Sequence, residues 1–128
     1  VDKRRVAALA ASPSAVVLDA RAPERYQGVL EPVDARPGHV PGARNAPFAE
    51  NLVSPGGPFR EPAELARRYA ALGAMQAETV VAYCGSGVTA CHDLLALALA
   101  GREDALLYEG SWSDWARDPA LPAARGTE

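Results

Sequence analysis

The sequence predicts an α/β domain with a mainly parallel sheet and helices on both faces. Three observations predict it. Short apolar and β-branched runs at residues 15–19, 79–83 and 105–108 alternate with segments of helical composition. The run at 79–83 passes through a glycine-containing loop straight into a helix, and open parallel sheets bind ligands at such strand ends. The 128 residues suffice for one domain that buries a sizeable core without staples.

Each element has a local reason. Residues 2–11 have helical composition, with Val6, Leu9 and Ala10 on one face, and Ser12-Pro13-Ser14 ends them. Residues 15–19 read as a buried strand ending on Asp19. Residues 22–27 form one helical turn stopped by Gly28. Residues 28–42 are Pro- and Gly-rich without a period, hence an irregular loop. A short strand is expected within 43–47 and a turn-rich link over 51–58. Residues 61–73 make a convincing helix: Pro62 sits in the first turn, Leu65, Tyr69 and Leu72 share a face, and Gly73 stops it. After the strand at 79–83 comes an Ala- and Leu-rich helix ending at Gly101. A last strand is expected at 105–108, then a turn or short helix at 111–117. The domain spans 1–118, and residues 119–128 read as a loosely held tail.

The chain is organised around Cys84. It opens the loop C-G-S-G-V-T between strand and helix. Gly85 and Gly87 let the backbone curl so that successive N–H groups point at the sulfur. The helix N-terminus adds partial positive charge. Both favour thiolate over thiol and mark Cys84 as a nucleophile rather than an inert buried cysteine. The N–H groups of Gly85, Ser86, Gly87, Val88, Thr89 and Ala90 are candidates to hold an anion there. Ser86 and Thr89 can add hydroxyl donors, and Thr89 reads equally well as the helix N-cap.

Composition excludes several classes. The net charge is −3 and the arginines are scattered, so no nucleic-acid footprint appears. The longest apolar run is too short to span a bilayer, so no membrane partner is expected. Cys84 and Cys91, seven apart across a loop and a helix, make a poor disulfide pair, and a reducing, cytoplasmic home is expected. No metal site or cofactor motif is present: Cys91 and His92 alone fall short of the three or four ligands zinc needs, and both read as packing residues. The chain opens on Val1 rather than Met, which points to a fragment of something longer.

Four ordered stretches carry a family resemblance: V-L-D-A-R-A-P-E-R-Y from Val17, G-H-V-P-G-A-R-N-A-P-F from Gly38, C-G-S-G-V-T-A from Cys84 and L-Y-E-G-S-W-S-D-W from Leu107. Together they resemble rhodanese-type sulfurtransferases, and the Cys84 loop is similar to that of the mercaptopyruvate branch. The resemblance implies a rhodanese fold with about five parallel strands. It also implies transfer of a sulfane sulfur from mercaptopyruvate or thiosulfate to cyanide, a thiol or thioredoxin through a Cys84 persulfide. Sulfurtransferases with this loop are typically tandem. The chain therefore resembles the catalytic C-terminal half, lacking an N-terminal rhodanese-like domain.

Arg21 and Arg25 flank the end of the first strand, and an arginine fork suits an anionic donor. Arg25 matches a family arginine that contacts substrate. For Arg21 a salt bridge with Asp19 or Glu24 is favoured over substrate binding. The family's second arginine has no counterpart here: Arg36 is displaced toward His39. His39 and Asp19 read as structural. Trp112 is a candidate wall of the Cys84 pocket and Trp115 a core anchor.

Two other functions use a similar cysteine loop or fold. A cysteine phosphatase or arsenate reductase needs an arginine at the sixth residue after the cysteine, where Ala90 stands. A non-catalytic rhodanese-like binding module usually lacks the cysteine altogether.

Overall fold

In the computed structural model, which describes residues 1–127, the chain forms one parallel sheet covered on both faces. The strands are β1 (Ala15–Asp19), β2 (Arg44–Asn45), β3 (Thr79–Tyr83) and β4 (Leu106–Leu107). Their order is β2-β1-β3-β4, and every pairing is parallel. β1 and β3 pair along their full length, from Ala15 opposite Thr79 to Asp19 opposite Tyr83. The helices are α1 (Lys3–Ala10), α2 (Pro23–Tyr26), α3 (Pro62–Ala71), α4 (Ala90–Leu99) and α5 (Ser111–Arg117), with a 3₁₀ turn at Phe48–Asn51.

Side chains alternate across a strand, so the two central strands feed two cores. Val17, Val81 and Tyr83 face α1 and α5, meeting Val6, Leu9, Trp112 and Trp115. Val16, Leu18 and Val80 face the other way, onto Leu65 and Tyr69 of α3 and Leu97 of α4. Burying one such side chain stabilises by about 1.5–3 kcal/mol. Asp2 caps α1 through an Oδ1 that accepts the Arg5 N–H at 2.9 Å.

Two expectations are corrected. The sheet has four strands among the described residues, not about five. Its outer strands hold two residues each. A lone antiparallel bridge joins His39 to Ala124. Nor is the tail loose. His39 and Ala124 exchange both backbone hydrogen bonds, at 2.8 and 2.9 Å. Trp115 donates its indole N–H to the Pro122 carbonyl at 2.8 Å, and Arg125 reaches the Gly28 carbonyl at 2.6 Å. Gly38 makes the approach possible: a Cβ there would stand 2.3 Å from the Ala124 oxygen. Glu128 lies outside the described residues.

Arg36 has its own task in this frame. Its guanidinium donates to the carbonyls of Trp115, Ala116 and Asp118 at the end of α5.

Candidate active site

Cys84 follows β3 directly and is 1% exposed. Three contacts fix its backbone and that of Gly85. The Cys84 N–H donates to Ser111 Oγ at 3.1 Å. The Trp112 N–H donates to the Cys84 carbonyl at 2.9 Å, and the Ser113 N–H to the Gly85 carbonyl at 3.0 Å. The first turn of α5 thus grips the strand end and leaves the side chain to the loop.

The loop turns its donors onto the sulfur. The Gly87 N–H reaches Sγ at 3.0 Å. Gly87 has φ 96°, and a Cβ on it would lie 2.7 Å from the Glu109 carbonyl oxygen, so only glycine fits without strain. Burial pushes the thiol up. The Thr89 hydroxyl and the N–H groups of Ala90, Ser86 and Gly87 pull it down, and the net result lies below the ordinary thiol value. Thr89 makes no capping bond to α4. Its hydroxyl is instead one of the groups that lower the thiol.

A cleft of about 300 Å³ opens over Cys84, lined by Arg25, Phe48, Ser86 and Thr89 among others. Ser86 and Val88 are exposed at its mouth. The Arg25 guanidinium lies against Gly85, where a Cβ would meet Nη1 at 3.4 Å. Its Nη2 pairs with Glu31 at 3.3 Å and Asp34 at 3.1 Å.

Arg21 also borders the cleft, but its fork is committed elsewhere. Nε and Nη2 grip the Asp19 carboxylate at 3.0 and 2.7 Å, and Nη2 also donates to the Gly38 carbonyl at 2.6 Å. The arginine is 3% exposed and lies 5.1 Å over the Trp112 ring. The salt bridge with Asp19 that the sequence favours is present, and Arg21 buttresses the strand end beside the cleft. The expectation for Trp112 is corrected. It is fully buried below Arg21 and donates its indole N–H to the Arg36 carbonyl at 2.7 Å, because α5 packs its inner face on the core.

His39 is buried, stacked on Tyr26 with ring centroids 3.7 Å apart, and its Nδ1 is 2.7 Å from the Tyr26 carbonyl oxygen. It is structural, like Asp19. His92 packs between Phe48 and Phe59 and meets Asn51 at 3.1 Å. Cys91, expected in the packing, is exposed instead, its Sγ 3.6 Å from the Gly87 carbonyl oxygen.

Sequence reasoning missed Ser111, Glu31 and Asp34. Ser111 is fully buried and holds φ 57°, the one positive φ outside glycine among the described residues. The only local signal was its place just after a strand, beside Gly110. Glu31 and Asp34 fall in the aperiodic loop, where only their closeness in sequence to Arg25 could have pointed to them.

The fold and this site define a class: α/β domains that seat one cysteine in a loop of backbone donors at a parallel strand end. The chain belongs to the rhodanese-like domain family, whose model matches residues 2–118. It is 47% identical to a probable 3-mercaptopyruvate sulfurtransferase of Pseudomonas aeruginosa, over 98% of this chain and 44% of that protein. It is 45% identical to the putative thiosulfate sulfurtransferase SseB of Mycobacterium tuberculosis, over 87% of this chain and 38% of that one. The 3-mercaptopyruvate sulfurtransferase of Rattus norvegicus is 46% identical over 77% of this chain and 34% of its own length. The chain therefore spans less than half the length of these curated relatives. Wild-type EanB superposes with a TM-score of 0.88 at 24% identity, over all of this chain and 32% of that one, a likeness in fold.

Proposed function

We propose that this chain is the cysteine-bearing half of a sulfurtransferase, moving a sulfane sulfur from mercaptopyruvate or thiosulfate to a thiophilic acceptor. The observation that carries the reading is the Gly87 N–H on Cys84 Sγ at 3.0 Å, inside a loop of donors that holds the thiol low. The loop from Gly85 to Ala90 has no basic side chain, so the nest suits a single negative charge on sulfur better than a phosphoryl dianion.

The chemistry follows. The Cys84 thiolate attacks the donor sulfur. With mercaptopyruvate the carbon–sulfur bond breaks, its electron pair goes to carbon, and the former S–H proton ends on that carbon to give pyruvate. With thiosulfate the sulfur–sulfur bond breaks and sulfite leaves. Either way Cys84 becomes a persulfide anion, and the loop N–H groups are the donors for its terminal sulfur. Cyanide, a thiol or thioredoxin then takes that sulfur and returns the thiolate. Arg25 offers the donor's carboxylate a guanidinium beside Gly85.

The partners include an N-terminal rhodanese-like domain that covers the cleft. Val88 at the cleft mouth, and Val29, Leu30 and Val33 on the loop beside Arg25, are exposed apolar side chains that such a neighbour would bury. The compartment is the cytoplasm, supported by two free cysteines. No helix among the described residues is long and apolar enough to cross a membrane.

Intact mass tests the proposal. Incubation with mercaptopyruvate or thiosulfate should add one sulfur to the chain, and Cys84→Ala should abolish the gain. An unchanged mass, or addition at Cys91, would reject it.

A further inference from the structure

Arg25 does not stand alone at the cleft. Its Nη2 is shared by Glu31 and Asp34, both 6% exposed in their side chains. Glu31 Oε2 also accepts the backbone N–H of Val33 at 3.0 Å and of Asp34 at 2.8 Å. Burial pushes the Glu31 carboxyl up, but those N–H groups and the guanidinium groups of Arg25 and Arg21 hold it below its usual range, so it stays charged. Asp34 accepts the Ser113 hydroxyl, and Ser113 donates its N–H to the Gly85 carbonyl. The acids are thereby laced to the Cys84 loop.

The charge balance is unusual for an anion site. Two guanidinium groups, Arg21 and Arg25, face three carboxylates, Asp19, Glu31 and Asp34. Arg25 Nε and Arg21 Nη1 are buried without a hydrogen-bond partner, as is Glu31 Oε1, which lies 3.6 Å from Arg21 Nη1. Arg25, whose side chain is 24% exposed and lines the cleft, is therefore the guanidinium a ligand oxygen can reach, with no net positive charge behind it.

We propose that Glu31 and Asp34 are specificity-determining residues: they cancel the charge of Arg25, so the cleft recognises a monoanionic carboxylate by hydrogen bonding and discriminates against dianions. The proposal rests on the sulfurtransferase reading for its donors, but its physics concerns any anion at this site. An interaction with a fixed charge scales with ligand charge, so removing one carboxylate charge favours a dianion over a monoanion by on the order of tenfold.

Two readouts on wild type, Asp34→Asn and Glu31→Gln test this. The first is kcat/KM for mercaptopyruvate and for thiosulfate. The second is protection of Cys84 from alkylation by pyruvate and by sulfate, which needs no turnover. Asparagine keeps an acceptor for Arg25 and Ser113 while losing the charge. The expected result is that each substitution improves sulfate protection about tenfold more than pyruvate protection, with the thiosulfate preference rising alike through KM. Equal changes for both anions, or none, would overturn the proposal. A thermal melt identifies a variant that fails to fold, and the other variant then decides. Wild-type protein that transfers no sulfur from either donor would reject the sulfurtransferase reading alone, since the protection ratios still judge the role of the acids.

Discussion

Ser111 Oγ accepts the backbone N–H of Cys84 at 3.1 Å and donates to the Tyr108 carbonyl at 2.9 Å, while Ser111 itself holds φ 57°. A strained residue thus satisfies the buried amide of Cys84. Ser111→Ala should cost about 1–3 kcal/mol, because that amide loses its partner. Ser111→Gly loses the same bond but relaxes the backbone, so it should unfold at higher urea than the alanine variant. Both should slow alkylation of Cys84. A glycine variant less stable than alanine would show that φ at this site carries no strain.

Gly87→Ala should damage both stability and reactivity. Its Cβ would meet the Glu109 carbonyl oxygen at 2.7 Å, and φ 96° is foreign to alanine. Relief moves the N–H away from Cys84 Sγ. A loss of about 1–3 kcal/mol in urea denaturation is expected, with alkylation of Cys84 shifted to higher pH. Wild-type behaviour in both assays would mean the loop is not built around that hydrogen bond.

The thiol of Cys84 should titrate lower in the folded chain than in the unfolded one. Its folded value is depressed, so thiolate persists as pH falls below the ordinary range of about 8.5. The rate of iodoacetamide labelling at Cys84, followed against pH with and without urea, should show a lower midpoint in the native protein. Coincident midpoints would remove the loop's electrostatic role.

Asp93 predicts a pH-dependent stability. It is fully buried in α4, accepts from Asn51 at 2.8 Å and from Tyr69 at 3.1 Å, and its Oδ2 has no partner. Burial pushes it from 3.8 up to about 7, against the pull of Asn51, Arg68 and Tyr69. A raised folded value means the native state holds the proton longer than the unfolded state does. Stability from Asp93 is then full below about 4 and is lost as pH rises to about 7. Relative to wild type, Asp93→Asn should gain stability across that window, on the order of a few kcal/mol by its end. Parallel stability curves would show that Asp93 does not titrate there.

Much of the fold was legible because its signals are local. The strands at 15–19 and 79–83 match their predicted bounds, since apolar runs flanked by turn residues leave no other buried arrangement. The helix that stops before Gly101 and the one that starts at Pro62 lie within their predicted segments, with Gly73, at φ 79°, past the end of the latter. The tail misled because its composition reads as loose, while its hydrogen bonds go to His39, Gln27 and Gly28, far back in the chain.

The sequence by itself determined the α/β class, the family, and Cys84 at a strand end in a loop that only Gly87 lets close. These follow from composition, periodicity and short-range turn chemistry. Tertiary structure alone decided how the two arginines are held: Arg21 buried on Asp19 two residues away, Arg25 part-exposed at the cleft on Glu31 and Asp34 across a loop. It alone placed Trp112 in the core and Ser111 behind Cys84, 27 residues away along the chain. The physical reason is that hydrogen bonds and ion pairs act over a few ångströms, and only the folded backbone sets which distant groups come that close.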